Sequence, residues 1–481
     1  MCGLIGIISE EPVVEWIYQS LIHLQHRGQD AAGIFAYDPR TEKEKLHKNR
    51  GLVSQVFNAS TLPLPDAPWG IGHIRYSTIG TGRVEDTHPL TVKHGSGTLA
   101  LAHNGNIVNY VPLKAELEDD NVVFETTCDA EAILNMLAQH LSTDDDFSFE
   151  DVCHAVGKVL HNVAGAYSCV ALRTGKGLIA FRDPWGFRPL LYGIHPDGHT
   201  HAFASENGPL KFLGFENIHD VQPGEVVYID DEKRVYRKKL TAKRHAHCSF
   251  EYNYFAKPNT IIEEREVYRI RARLGQELAE KVREQNIEAD VVIPVPDSAR
   301  PSAIALAQHL GIPLEEGFVK QNHVGRTFIM PTQYARKKAM SQKLITVPSV
   351  FEGKRVILVD DSIVRGTVST RVVELARRAG AKEIAFASTY PPIRHPCIYG
   401  IDFPRSEQLV AYGRDLEEIA EEIGVDRLVY NDIEGLKRAI DLDDICAACL
   451  TGVYPTSTYG VEELQDLRHS DITELELVCK S

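Results

Sequence analysis

Val356-Ile357-Leu358-Val359-Asp360-Asp361-Ser362-Ile363-Val364-Arg365-Gly366-Thr367 is an apolar run that ends in two carboxylates, followed by a hydroxyl, a cation and a glycine. The apolar part reads as a strand buried on both faces, as in a parallel sheet. A short loop and a helix are expected after it. Backbone N–H groups at such a turn and helix start bind phosphate. The acids fall at the carboxyl end of the strand, where open α/β sheets take ligands. The run lacks the Gly-Lys-Ser/Thr ending of a Walker A loop. A capped helix behind an acidic strand end accounts for Asp-Asp-Ser alone, but not for the whole run.

The same alternation extends outward. Residues 264–285 predict a long amphipathic helix, 291–293 a buried strand and 303–310 a helix. Residues 369–379 predict a helix closed by Gly380, and 384–388 another strand. Helices alternating with strands from about residue 262 imply a parallel α/β sheet. The first half reads differently. Short β-like runs at 70–76, 98–103 and 166–172 are separated by glycine turns, with few helices such as 129–140. That pattern predicts a layered, largely antiparallel domain. The basic, polar stretch 241–247 reads as a linker, and Asp144-Asp145-Asp146 as a solvated loop.

A chain of 481 residues exceeds one ordinary domain. Hydrophobic content of 43% and charged content of 25% are those of a globular protein. No apolar run reaches the roughly 18 residues of a membrane span. The start lacks the pattern of a signal peptide, so a cytoplasmic location is expected. The net charge of −15 argues against nucleic acid and membrane surfaces as partners. Nine cysteines without scaffold spacing point to metal ligation or catalysis.

Cys2-Gly3-Leu4-Ile5-Gly6-Ile7 follows Met1 directly. Trimming Met1 leaves a thiol and a free α-amine on one residue, and no longer leader need be cleaved. The amine, with a pKa of about 7.7–8.0, is a base near working pH. One residue then supplies nucleophile and proton acceptor. The apolar run behind it predicts a buried strand that fixes the terminus. Gly317-Phe318-Val319-Lys320 and Val324-Gly325-Arg326-Thr327 place cations around a glycine hinge, which suits a lid over pyrophosphate. Cys446-Ala447-Ala448-Cys449 taken alone is a redox pair, a zinc half-site or an accident.

The run 356–367 resembles the phosphoribosyl-pyrophosphate (PRPP) motif of type I phosphoribosyltransferases. With Cys2-Gly3, with Leu24 to Gly33, His73-Ile74-Arg75-Tyr76-Ser77-Thr78 and His103-Asn104-Gly105-Asn106, the chain resembles the glutamine PRPP amidotransferase family. Phe181-Arg182-Asp183-Pro184 to Leu190 and Pro294-Val295-Pro296-Asp297-Ser298 extend the likeness, which runs from Cys2 to about Thr456.

The resemblance implies a four-layer αββα N-terminal nucleophile hydrolase domain over 2–235, a junction over 236–261, an α/β type I phosphoribosyltransferase domain over 262–450, and a tail over 451–481. It implies that Cys2 attacks the glutamine amide, with Asn104 and Gly105 as oxyanion hole. Arg75, Tyr76, Thr78 and Asp129 would hold glutamine. Ser298, Lys320, Arg326, Asp360, Asp361, Ser362, Arg365, Gly366 and Thr367 would bind PRPP, with Mg²⁺ at Ser298, Asp360 and Asp361. The sequence Cys449-Leu450-Thr451-Gly452 matches the iron–sulfur branch, whose [4Fe–4S] cluster would be held by Cys248, Cys397, Cys446 and Cys449. Cys128, Cys153, Cys169 and Cys479 are expected to be buried or incidental.

The implied reaction converts glutamine and PRPP to 5-phosphoribosylamine, glutamate and pyrophosphate, the first committed step of purine synthesis. Purine nucleotides would inhibit it, and a homodimer or homotetramer is expected. Three segments depart from the family. Lys320-Gln321-Asn322-His323 has one cation fewer, Ala299-Arg300 follow Ser298, and the junction reads Lys257-Pro258-Asn259-Thr260. The rivals are a paralogue serving another acceptor, a non-catalytic PRPP sensor, and a sugar-phosphate amidotransferase. The last would need sugar-isomerase domains in place of Asp360-Asp361.

Overall fold

The structure is a computed structural model, which describes residues 2–77, 79–80, 82–143, 147–241, 243–320, 344–403 and 405–467. Strand Gly3–Ile8 lies near the middle of a seven-stranded sheet, between His201–Ala204 and Trp69–Arg75, and pairs antiparallel with both. Side chains alternate faces along a strand. Ile5 and Ile7 therefore pack with Val14, Ile17 and Leu21 of helix Val14–Leu24. Leu4 and Ile8 join Ala100, Val170, Leu172 and Val227 of a second sheet. That second sheet has six strands, with Gly165–Arg173 and Gly177–Arg182 at its centre and Gly97–Ile107 beside the former. Its outer face packs on helices Ala130–His140 and Phe149–Asn162 through Ile133, Leu137, Val156 and Val159. Helix, sheet, sheet and helix make the αββα layering.

The second domain is built on four parallel strands in the order Val291–Pro294, Arg355–Asp360, Glu383–Ser388 and Arg427–Tyr430. Val292, Ile357, Val359 and Ala387 pack with helices Val267–Glu284 and Arg300–Leu310. Ile293, Val356, Leu358 and Phe386 pack with helices Thr367–Arg378 and Leu416–Ile423 on the opposite face. Both faces are covered, which is why these strands read as continuous apolar runs.

Several expected boundaries move. The first domain extends past residue 235, because Val235–Lys239 pairs with Glu225–Asp230 as an edge strand. The helix expected from residue 264 begins at Val267. Ile261–Ile262 and Arg265–Glu266 form a small hairpin first, with Glu263 and Glu264 both at positive φ in its turn. The described part of the tail, 451–467, reaches the first domain, where Leu464 is buried beside Tyr110 and Leu113. Between the domains, Val108, Ala166 and Phe187 pack with Phe250, Tyr390, Cys397, Ile398 and Tyr399 in one apolar cluster. Asp144 to Asp146 lie outside the described residues. Among the described residues, no helix is long and apolar enough to cross a membrane.

Candidate active site

The buried strand Gly3–Ile8 fixes Cys2 at its start. The Cys2 nitrogen donates to Asn104 Oδ1 at 3.1 Å. The thiol faces the Tyr76 backbone, with Sγ 3.5 Å from the nitrogen and 3.7 Å from the oxygen. Asn104 is fully buried, and its Nδ2 has no hydrogen-bond partner among the described residues. A buried amide donor without an acceptor is costly unless a ligand completes it. Placed beside a nucleophile, it is the donor that an oxyanion requires. Gly105 follows with φ of +155°, and a Cβ there would fall 1.8 Å from the Ala166 oxygen. Only glycine lets the strand Gly97–Ile107 press this closely on its neighbour Gly165–Arg173 here.

The loop after Tyr76 is tied down from several sides. Arg75, nearly fully buried, donates from Nη1 to the Asp86 oxygen and from Nη2 to the Ile79 oxygen, both at 2.5 Å. Lys48 Nζ donates to the Thr87 oxygen at 2.6 Å and the Glu85 oxygen at 2.9 Å. Asp129 Oδ2 accepts from the Ile107 nitrogen at 2.8 Å, which sets its carboxylate at the end of the Asn104 strand. Thr78 lies outside the described residues.

Behind Cys2 sits a buried charge network. Arg27 donates from Nε to the Cys2 oxygen at 3.0 Å, from Nη1 to Glu206 at 2.6 Å and from Nη2 to Glu251 at 2.6 Å. Burial alone would raise the Glu206 carboxyl, but His26 and Arg27 outweigh it and hold it well below the usual range. Burial likewise opposes the Arg27 charge, and Glu251 and Glu206 overcome it. Arg188, also fully buried, has Nη1 3.7 Å from the same Glu251 oxygen.

The second constellation lies at the carboxyl end of strand Arg355–Asp360. Asp361 Oδ1 accepts from Ser362 Oγ at 2.7 Å, and Oδ2 accepts from Ser298 Oγ. The Asp360 Oδ1 accepts from the Asp361 nitrogen at 2.9 Å. Burial, and then each other's charge, push the Asp360 acid well above its ordinary value; burial also raises Asp361. Two buried acids in that state favour an added cation. Mg²⁺ binds through one or two carboxylates plus substrate oxygens, so this donor set fits it. Gly366 caps helix Thr367–Arg378, whose first turn offers its N–H groups. Arg365 pairs with Asp402 at 3.6 Å, and Asp402 accepts from Tyr76 Oη at 3.4 Å. Lys320 Nζ rests on Asp297 at 2.6 Å. Arg300, one of the departures, shares Asp297 and also reaches Glu316 at 2.8 Å. Arg326 and the rest of the expected lid lie outside the described residues.

The four expected cluster ligands come together at the domain junction. Cys248 and Cys446 are direct partners in a two-residue parallel ladder. Tyr399 donates its N–H to Cys397 Sγ at 3.4 Å, and Tyr390 Oη lies 3.5 Å from Cys449 Sγ. Burial pushes the Cys248 thiol up to about 11, with Arg188 pulling it down and Glu251 and then Cys397 pushing it further up. Cys446 is raised by burial and then by Cys248, Cys449 and Cys397. All four cysteines belong to, or pack against, the apolar cluster at the domain junction. Among the described residues, no three His, Cys, Asp or Glu side chains gather tightly enough to hold a single metal ion. A [4Fe–4S] cluster, which gives each thiolate its own iron, needs four thiols at a wider spacing than a single ion does. Of the others, Cys128 and Cys169 are buried, Cys153 is partly exposed, and Cys479 lies outside the described residues.

Sequence reading missed Arg27, Arg188, Glu206, Glu251 and Asp402. Arg27 and Arg188 stood inside motifs already marked, but only burial reveals what they do. Nothing local marks Glu206, Glu251 or Asp402.

Residues 73–211 match the glutamine amidotransferase domain family, and 265–397 the phosphoribosyl transferase domain family. The chain is 42% identical to the amidophosphoribosyltransferase of Pasteurella multocida, covering 99% of each. It is 40% identical to that of Escherichia coli K12, over 98% of this chain and 96% of the other. Its fold superposes on the glutamine PRPP amidotransferase of B. subtilis, solved with ADP and GMP. The TM-score is 0.85 at 39% identity, over 95% of this chain and 98% of that one. Two catalytic domains in this order, matched over nearly the full length, leave one assignment: the chain belongs to the amidophosphoribosyltransferase family, glycosyltransferases that carry a glutamine amidotransferase domain.

Proposed function

We propose that the protein takes ammonia from glutamine at Cys2 and uses it to displace pyrophosphate from PRPP, giving 5-phosphoribosylamine. The thiolate of Cys2 attacks the amide carbon, and the Cys2 α-amine takes the thiol proton. Asn104 Nδ2 and the Gly105 N–H hold the oxyanion, while Arg75 and Asp129 hold the α-carboxylate and α-ammonium, with Tyr76 and Thr78 beside them. The proton returns to the leaving nitrogen, ammonia departs, and water hydrolyses the γ-glutamyl thioester to glutamate. Ammonia then attacks C1 of the ribose as pyrophosphate leaves. Asp360 and Asp361 orient the ribose hydroxyls. Ser362, Arg365, Gly366 and Thr367 hold the 5-phosphate, and Ser298, Lys320 and Arg326 attend the pyrophosphate. Mg²⁺, when bound at Ser298, Asp360 and Asp361, supplies positive charge against the pyrophosphate. A [4Fe–4S] group on Cys248, Cys397, Cys446 and Cys449 supplies a tie between the junction and the second domain.

The observation that carries this reading is the contact from Tyr76, whose backbone faces the Cys2 thiol, through Asp402 to Arg365 of the phosphate run. It joins the two half-sites across one interface. Domain limits near 240 and 262, purine nucleotide inhibition, a homo-oligomer and a cytoplasmic location belong to the same proposal. Phosphoribosylamine formation measured with glutamine and then with ammonia tests it. Glutamine hydrolysis with no PRPP turnover would leave the sensor or paralogue instead. Anaerobic purification with iron and sulfide measured per chain tests the cluster. Zinc at the four cysteines would recast them as a structural Cys₄ site.

A further inference from the structure

Two paths run from the four-cysteine pocket to the glutaminase centre, and both pass through Arg188. Its guanidinium is fully buried within electrostatic reach of Cys248 and Cys397. Nη2 donates to the Tyr399 oxygen. Nε and Nη1 have no hydrogen-bond partner among the described residues, and Nη1 is 3.7 Å from Glu251 Oε1. A buried guanidinium with idle donors calls for a nearby anion.

The first path is ionic. Glu251 Oε1 accepts from Arg27 at 2.6 Å, and Arg27 holds the Cys2 oxygen at 3.0 Å. Arg27 and Arg188 therefore share one carboxylate. If the thiol pocket is anionic, it holds Arg188 and leaves Glu251 to Arg27. Without that charge, Arg188 draws on Glu251, and the hold on Cys2 slackens.

The second path is steric. The segment that carries Cys397 forms the back wall of the oxyanion turn. Asn106 Nδ2 donates to the Ile398 oxygen at 3.0 Å. A Cβ at Gly400 would lie 3.0 Å from the Gly105 oxygen and 3.5 Å from Arg188 Nη2. Arg188 pins this wall through Tyr399.

We propose that Arg188 is a positioning residue: it serves as counter-ion to the four-cysteine group and passes that group's state to Cys2 and Gly105 through Glu251–Arg27 and Tyr399–Gly400. This rests on the cluster reading above.

The test uses the intact chain, purified anaerobically, with Arg188→Met, Arg188→Lys and Glu251→Gln. The readouts are iron and sulfide per chain, the midpoint potential, the iodoacetamide alkylation rate of Cys2 followed by mass spectrometry, and glutamine kcat and KM. Arg188→Met removes a buried cation, so the potential should move to more negative values. The Cys2 alkylation rate and glutamine kcat should change by about tenfold, which corresponds to a coupling of about 1.4 kcal/mol, with little change in KM. Arg188→Lys should restore the potential but not the Cys2 rate, because lysine brings the charge without the planar fork. Glu251→Gln should change the Cys2 rate and, because the Glu251 charge also acts on Cys248, move the potential to less negative values, opposite to Arg188→Met. It also keeps the test open should Arg188→Met fail to fold. Ammonia-dependent synthesis should be unchanged in all of them. Iron-replete variants with a wild-type Cys2 rate would overturn the relay and leave the cluster reading standing. Wild-type protein with zinc, or with no metal, would overturn the cluster reading itself.

Discussion

Each domain buries a pair of carboxylates, and the two pairs are handled in opposite ways. In the first, Glu206 of the domain and Glu251 of the junction flank Arg27 at 2.6 Å each, and the charges pair inside the protein. In the second, Asp360 and Asp361 stand side by side on hydroxyls and backbone, and burial raises both acids. The Arg27 ion pairs of the first are made when the chain folds. The second is completed by what it binds. The difference follows the chemistry: glutamine attack needs a fixed nucleophile and fixed donors, whereas PRPP brings its own charge, and Mg²⁺ with it.

The largest expected effect separates the two sites outright. Cys2→Ala should lower glutamine-dependent synthesis by at least about a thousandfold, as losing a nucleophile does. Ammonia-dependent synthesis from PRPP should persist. Equal loss of both would mean that Cys2 serves the fold, and the two sites would no longer count as independent.

Next comes the acid pair. Asp361→Asn or Asp360→Asn should cut synthesis with either nitrogen donor by about a hundredfold, the scale of one lost electrostatic contact in a transition state. Stability should move the other way. A carboxyl whose folded pKa is raised above the ordinary 3.8 destabilises the fold as pH rises through that value and on towards the raised one. Asp360→Asn should therefore raise the melting temperature at pH 7 but not at pH 3, while the stabilisation given by Mg²⁺ and PRPP is lost. A lower melting temperature at pH 7 would show that the pair is already compensated.

Glu206→Gln probes the finished network. Removing one partner of a buried pair costs about 3–5 kcal/mol. The Glu206 folded pKa lies below the ordinary 4.5, so its contribution is present above that value and fades as pH falls below it. Urea unfolding at pH 7 and pH 3 should show a large deficit that shrinks in acid. A deficit equal at both pH values would assign Glu206 to packing alone.

What the sequence revealed tracks how local each feature is. Cys2-Gly3, Asn104-Gly105 and Asp360-Asp361 sit in short runs whose spacing already carries their chemistry. The parallel sheet was legible because both faces of each strand are apolar. Arg27 finds Glu206 across 179 positions and Glu251 across 224, and no periodicity reports such a meeting. The start of helix Val267–Glu284 was misplaced for a related reason. Glu263 and Glu264 are poor hairpin residues, since positive φ favours Asn and Gly. They hold that turn because the Glu263 carboxylate is drawn to buried Arg182 at 2.7 Å. The packing of the tail was not legible, because Leu464 gains its buried place from residues of the first domain.

The smallest expected effect lies where the two regions touch. Asp402 joins Tyr76 at 3.4 Å and Arg365 at 3.6 Å, with about 40% of its side chain exposed. An exposed pair of this kind contributes about 0.2–1 kcal/mol, so stability should barely change in Asp402→Asn. The interest is in coupling. On the proposed site, a 5-phosphate that takes Arg365 would leave the carboxylate to Tyr76, whose backbone lines the Cys2 thiol. Occupancy of one site is then felt at the other. Asp402→Asn removes the charge and keeps the shape, so it should lower glutamine-dependent synthesis about two- to fivefold relative to ammonia-dependent synthesis, the same free energy expressed as a ratio. The ratio of the two rates at saturating PRPP is the measurement. An unchanged ratio would make Asp402 a bystander, and the finished site and the waiting site would communicate by another route.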